Sequence, residues 1–478
     1  SPSLPDPFTD SPPSLQEVRA ALHACASGSA PGADEIPFEV LKWGGDPLLH
    51  MLTQLFFLCW TWEAHPTQWD CALIQPLFKK GDRFEVANYR AITLLSTLSK
   101  VYEAVLEARI SARMVAHSSH SPAQHGFRPH VAASEPAFAL RSLLAWRAAQ
   151  SRPSYVCFVD FQTAVPSSFK PLVWVRLHQS GVCGKLWRVT RQLYANVRSR
   201  VLHPLLDPES SFPIPQGLRE GSKLSPLLFN VAVADMLPFF EAAGAGVRDP
   251  AGRFCGVWQY ADDVALVASS PQELQSMLLS MQTYCAARGL TINFSKCAVL
   301  EVAAPGDSPL SPPYVMFDHR ASPAAPTFLP VVSSFKYLGI YLDSSLSMEP
   351  NLSTARSSFW GAHHRAQSLG MRPWALSPAS RLRLWNSLVL PHLLFRLPFL
   401  SATQTATLQP LVHHSLRAAF GGSVCPHALC RDLGIPPLLF LRARALLGLY
   451  GSLVTASPSL LSASCFSSLL ALPPAALP

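Results

Sequence analysis

Residues 258–268 read Trp-Gln-Tyr-Ala-Asp-Asp-Val-Ala-Leu-Val-Ala. An aromatic run leads into two adjacent carboxylates, Asp262 and Asp263, and an apolar, partly β-branched run, Val264 to Val267, leads out. The pattern predicts a tight β-hairpin with acids at its tip. Neighbouring anions are unfavourable in a packed domain unless a cation compensates them, and divalent metals bridging a triphosphate are one such compensation. Read alone, the segment is equally a solvated Asp-Asp turn between two strands.

The rest of the chain narrows that choice. At 478 residues it can hold roughly two to four domains and a sizeable core. Its 44 prolines are nearly twice the usual share of about 5%. The formal charge is +8, and only nine of the 38 basic residues are lysines, an arginine bias that suits phosphate contact. Eleven cysteines without a C-x-x-C pair imply reduced thiols in an intracellular protein. His413, His414, Cys425, His427 and Cys430 lack zinc-finger spacing, which argues against a zinc site. The absence of an initiator methionine and of a charged, then apolar leader reads as a fragment rather than a secreted precursor. The apolar run Leu48 to Trp62 is too short to span a bilayer and reads as a buried helix, so no membrane partner is expected.

Along the chain, residues 1–30 are Pro/Ser-rich and then helical from Leu15 to Ala26, and 31–155 alternate helices with loops, including the basic Lys79-Lys80-Gly81-Asp82. Residues 156–305 read strand, helix, hairpin, helix, strand; a Pro-rich insertion, 303–330, precedes a second hairpin at Phe335-Lys336-Tyr337-Leu338-Gly339. From 346 to 450 the pattern is helical and basic, and 451–478 form a charge-free Ser/Leu/Ala/Pro tail, expected to be poorly ordered.

Eight motifs follow one another in a fixed order. Pro31-Gly32-Ala33-Asp34-Glu35-Ile36-Pro37 comes first, then Ile74-Gln75-Pro76-Leu77-Phe78-Lys79-Lys80-Gly81-Asp82 and Asn88-Tyr89-Arg90-Ala91-Ile92-Thr93-Leu94-Leu95. Gln124-His125-Gly126-Phe127-Arg128 and Tyr155-Val156-Cys157-Phe158-Val159-Asp160-Phe161 are next. The segment Gly217 to Asn230, the Tyr260-Ala261-Asp262-Asp263 box and Gly289-Leu290-Thr291-Ile292-Asn293-Phe294-Ser295-Lys296 complete the series. In these motifs and their order, residues 30–450 resemble the reverse transcriptases of non-LTR (LINE-type) retrotransposons.

The resemblance implies an α+β right-hand polymerase, with fingers 31–155, palm 156–345 and a helical thumb 346–450. It implies RNA-directed DNA synthesis from deoxynucleotides on an RNA template, primed by DNA at a nicked target, in the nucleus if the protein is active. Joining a 3′-oxygen to an α-phosphate needs two divalent ions about 3.5–4 Å apart, Mg2+ or alternatively Mn2+. By resemblance Asp160, at the end of the strand Val156 to Val159, would hold them with Asp262 and Asp263; a carboxylate after a strand otherwise reads as a helix cap. Arg90 and Lys79 or Lys80 would grip the triphosphate. Phe161, Val165 and Gly221 would line the nucleotide, Gly221 by letting the backbone approach the base pair. Lys296, on a strand after the helix 271–288, would protonate the leaving pyrophosphate.

Several positions depart from the family. Val165 and Pro166 stand where Phe-Asp is usual, so a smaller side chain would guard the sugar; Glu220 replaces a common glutamine, and Ala91 and Lys223 replace prolines. These departures suit an alternative reading, a catalytically inactive relic that only binds nucleic acid. From Asn351 to Tyr450 there are ten arginines, no lysines and one acid, Asp432, a balance of +9. Arg381 and Arg383 are expected to face template and primer.

Overall fold

A computed structural model of the chain describes residues 10–203, 210–302, 313–317, 326–421 and 425–472. Strands are numbered along the chain: β1 (Cys71–Phe78), β2 (Tyr89–Leu94), β3 (Ser154–Val159), β4 (Arg198–Val201), β5 (Phe212–Pro213), β6 (Val257–Tyr260), β7 (Asp263–Ala268), β8 (Ala298–Val302), β9 (Val315–Phe317), β10 (Pro326–Phe328), β11 (Val331–Val332), β12 (Ser334–Tyr337) and β13 (Ile340–Asp343). Helices lie among them and dominate after β13, an α+β arrangement. The chain separates into two compact units of interleaved segments. One takes the described residues through Phe127 with Asp160–Phe239 and Met281–Asn293; the other takes Arg128–Val159, Phe240–Ser280 and the described residues from Phe294 onward.

The first unit contains a sheet in the order β2-β1-β4-β5 beside several helices. Ser14 and Glu17 form a capping box that starts the helix Leu15–Ala24. Buried charge organises the rest. Arg219 and Glu103, with side chains 2% and 1% exposed, face each other at 3.7 Å. Glu103 also accepts hydrogen bonds from the Ser99 hydroxyl and the Lys223 backbone N–H, and Arg219 donates to the Trp69 carbonyl. Breaking such a pair leaves a buried charge uncompensated, so these two side chains fix the loop 217–224 to the helix Thr97–Ala116. Asp235 takes Arg176, Arg288 and the Tyr284 hydroxyl together.

Two sequence motifs are explained here. Gly32 lies so close to Leu95 that a Cβ would fall 2.4 Å from its carbonyl carbon. That approach lets Asp34 accept from the Ser96 hydroxyl and the Thr97 N–H, capping the helix from a distant loop. Gln124 accepts from Gly126 N–H, and the Gly126 carbonyl accepts from Asn230, so the Gln124 to Arg128 motif is a packed turn.

The second unit is built on the sheet β11-β8-β3-β7-β6. All six residues of β3 are buried, as are Val264 to Ala268 of β7. The expected insertion 303–330 lies partly outside the described residues; what is described pairs β9 with β10. After β13, the helix Glu349–Ser368 packs against Gln409–Phe420, and Leu438–Thr455 packs against Ala402–Ala406 and Leu461–Leu470. Leu438–Thr455 is long and apolar enough to cross a membrane by length and composition. All eleven cysteines are free.

Two expectations are corrected. The tail is not without structure, since Leu461–Leu470 is a helix with Phe466 8% exposed and Cys465 fully buried. Its Phe466 ring meets Phe138 of the helix Ser134–Ala149 edge-on at 5.8 Å, and the Ser468 hydroxyl donates to Asp249 at 3.0 Å. Lack of charge here marks an apolar face, not a solvated chain. Nor is Arg381 a solvent-facing cation. It is 7% exposed, donates to the Ala419 carbonyl at 2.7 Å and lies 5.0 Å over the Phe420 ring. Arg383, two positions on, is exposed.

Phe466→Ala should therefore lower unfolding free energy by about 3–5 kcal/mol, read from the denaturant midpoint; a tail without packing would give no change. Arg381→Ala should destabilise by about 1–3 kcal/mol and leave the salt dependence of nucleic-acid binding as it was. Arg383→Ala should do the reverse, with unchanged stability and a log–log salt slope shallower by up to about 0.9.

Candidate active site

The acidic hairpin forms as its sequence predicts. Tyr260 pairs with Asp263, and Ala261 and Asp262 make a two-residue turn between β6 and β7. Ala261 adopts φ 57°, a left-handed conformation uncommon for a residue with a Cβ. Asp262 and Asp263 are exposed, while Val264 to Ala268 bury the strand that carries them. On its other edge β7 pairs antiparallel with β3, with Val159 opposite Val264. Asp160 follows Val159 in the chain as Asp263 precedes Val264.

Asp160 is half-buried and held by the segment 289–293. Its Oδ2 accepts from the Asn293 amide at 3.2 Å, and its carbonyl accepts from Asn293 N–H at 2.8 Å. Phe161 bridges to Ile292, and Gln162 N–H donates to Thr291 at 2.8 Å. Residues 291–293 of the motif thus hold the segment that begins at Asp160. Phe161, expected against the nucleotide, has its ring buried at 4% exposure. Lys296 is exposed and sits not on a strand but on the turn Phe294–Lys296, which Cys297 N–H closes on the Phe294 carbonyl before β8 begins.

Among the described residues no three His, Cys, Asp or Glu side chains are gathered closely enough to hold an ion.

The candidate phosphate-gripping residues share the β1–β2 hairpin of the first unit. Arg90 stands opposite Leu77, and Lys79 N–H donates to the Asn88 carbonyl at 2.9 Å. Lys79, Lys80 and Arg90 are all exposed. Gly81, at φ 94°, leaves room for Asn88, whose amide donates to the Asp82 carbonyl and closes the loop.

Gly221 lies against β2. At φ 78°, its missing Cβ would lie 2.6 Å from the Thr93 carbonyl oxygen, so the backbone it admits is that of β2. Next to it Glu220 accepts from the Thr93 hydroxyl at 3.5 Å. Burial pushes the Glu220 carboxyl up, opposed by Thr93 and the Arg90 guanidinium. Val165 is half-buried in the one-turn helix Ala164–Ser167, and its carbonyl accepts from Leu218 N–H at 2.9 Å. Gly217 lies so close to Pro166 that a Cβ would fall 1.7 Å from its carbonyl oxygen.

Sequence reasoning missed two residues. Asn293 stood inside a quoted motif, but its role as the hydrogen-bond partner of Asp160 has no periodic signal. Tyr337 was read only as part of a hairpin, yet the Asp263 charge acts on its buried hydroxyl.

The profile of the family described as reverse transcriptase (RNA-dependent DNA polymerase) matches residues 78–342. The probable RNA-directed DNA polymerase from transposon BS of Drosophila melanogaster is 26% identical over 388 residues, covering 77% of this chain and 39% of that protein. The Pol polyprotein of the type-1 retrotransposable element R2 of Popillia japonica is 24% identical over 397 residues, covering 82% and 52%. The RNA-directed DNA polymerase from mobile element jockey of Drosophila melanogaster is 24% identical over 421 residues, covering 82% and 42%. The chain thus spans between 39% and 52% of the length of these relatives. Among solved structures, telomerase from Candida albicans in complex with a fragment of telomeric RNA matches 80% of this chain and 63% of its own, with 11% identity and a TM-score of 0.41. Since the profile covers more than half of the chain and the named relatives are polymerases of non-LTR elements, the chain belongs to the reverse transcriptase family, in the branch carried by non-LTR retrotransposons.

Proposed function

We propose that this chain copies an RNA template into DNA by extending a DNA primer with deoxynucleotides, and that Asp160, Asp262 and Asp263 hold the divalent ions of the reaction. The observation that supports it most directly is the β3–β7 register, in which Val159 stands opposite Val264, so that Asp160 follows the one and Asp263 precedes the other. Carboxylate oxygens are the hard donors that Mg2+ and Mn2+ take, so the donor set fits. When bound, such ions supply charge stabilisation at the attacking and leaving oxygens.

The chain's own groups account for the remaining requirements. Asn293 holds one oxygen of Asp160, orienting its carboxylate. Arg90 and the Lys79-Lys80 pair present exposed cations from one hairpin, suited to phosphate oxygens. Lys296 is placed on a turn rather than a strand and carries an ammonium proton for the leaving pyrophosphate. Val165 would stand beside the sugar, its backbone pinned by Leu218. The exposed Arg356, Arg365, Arg372, Arg383 and Arg417 offer contacts to template and primer phosphates.

Primer extension on a homopolymer RNA template with Mg2+ and labelled deoxynucleotide tests the reading. Asp262→Asn should lower extension by at least about 100-fold while template binding persists, because Asp262 is exposed and packs no core. If the wild-type chain binds template but never extends a primer, the protein is the nucleic-acid-binding relic that Glu220, Val165 and Pro166 suit.

Val165→Phe should raise the deoxy/ribo ratio of kcat/KM by roughly tenfold or more, about 1.4 kcal/mol per decade, mainly by slowing ribonucleotide use. A ratio that does not move removes Val165 from the sugar pocket.

A further inference from the structure

The hairpin β12–β13 closes through Leu338 (φ 47°) and Gly339 (φ 86°), with Tyr337 opposite Ile340. Phe335 and Tyr337, two residues apart on β12, share a face. That face rests on Phe158 of β3. The Phe335 ring stacks on Phe158 with centroids 4.1 Å apart and planes 4° from parallel, and the Tyr337 ring lies 5.3 Å from Phe158. Phe158 pairs with Ala265 of β7, and residues directly opposite in a sheet point to the same side. Two positions back along β7, Asp263 points to that side as well. The aromatic hairpin and one of the two tip carboxylates therefore share a face of the sheet.

The Tyr337 side chain is fully enclosed, with the residue 3% exposed, and its hydroxyl has no hydrogen-bond partner among the described residues. Burial and the charge of Asp263 both push this hydroxyl's pKa up. A buried hydroxyl without a partner is destabilising, and the neighbouring Phe335 packs on the same ring without one. The oxygen of Tyr337 therefore adds nothing to the packing seen here.

Accepting that Asp263 holds a divalent ion, we propose that Tyr337 is its positioning residue: the hydroxyl donates to one Asp263 oxygen when the carboxylate turns to bind the cation, leaving the other oxygen aimed at the metal. Outer hydrogen bonds of this kind orient ligating carboxylates, and their loss commonly weakens metal affinity by about 10–100-fold.

Tyr337→Phe in the full chain keeps the ring and removes only the oxygen. Three measurements apply: thermal unfolding in EDTA, Mn2+ binding followed by electron paramagnetic resonance, and extension as a function of Mg2+ and of template–primer concentration. The expected result is an EDTA melting temperature unchanged or raised, Mn2+ affinity lower by about tenfold, half-saturating Mg2+ raised by a similar factor, and an unchanged KM for template–primer. The effect on Mn2+ should vanish in the Asp263→Asn background, since the hydroxyl acts through that carboxylate. A melting temperature lowered by several degrees in EDTA would give the hydroxyl a structural partner and overturn the proposal. So would unchanged Mn2+ affinity, or a loss that persists in Asp263→Asn. If Asp263→Asn itself leaves Mn2+ binding untouched, the metal-holding role of Asp263 fails instead, and the Tyr337 role fails with it.

Discussion

β3 is hydrogen-bonded along both edges, to β7 on one side and β8 on the other, and every one of its six residues is buried. A strand enclosed in this way cannot slip by one residue without turning Tyr155, Cys157 and Val159 to the opposite face. Its register fixes where the chain leaves the sheet at Asp160, and the same ladder fixes the level of the Asp262-Asp263 turn. Phe158 gives the hairpin β12–β13 its seat. The acidic tip, the aromatic hairpin and the start of the Asp160 segment all take their positions from this one strand.

The two anchored loops of the first unit follow a different logic. Their positions come from charges and carbonyls satisfied in the interior, not from strand pairing. Glu103 and Arg219 hold the loop 217–224 by its backbone, while Gly217 and Gly221 admit the Pro166 and Thr93 carbonyls at distances no side chain would tolerate. Glycine at these two positions is a requirement of protein against protein. A residue type alone does not reveal what comes close to it.

The sequence made the central features legible where period and polarity agreed. Val264 to Val267 after two acids read as a strand leaving a turn, and that is what forms. It failed where one residue's environment outweighed its type. Arg381 lies four residues before Trp385 and eight before Val389, both fully buried, so helical spacing already placed it on the core stripe despite its charge. Leu461, Cys465 and Leu469 repeat every four residues within a segment whose bland composition hid a helix. Lys296 fell on a turn because an i to i+3 hydrogen bond, which has no compositional mark, intervenes before β8.

The helix Leu461–Leu470 completes a face that begins with the helix Ser134–Ala149, more than 300 residues earlier. During synthesis the earlier helix leaves the ribosome long before its partner exists, at about 5–20 residues per second. For that interval Phe138 can meet Phe399, Leu449 and Leu453 as they emerge but lacks the Phe466 ring. Nascent chains of this protein therefore pass through a stage in which this apolar face is incomplete, and a chain cut before Leu461 keeps it so.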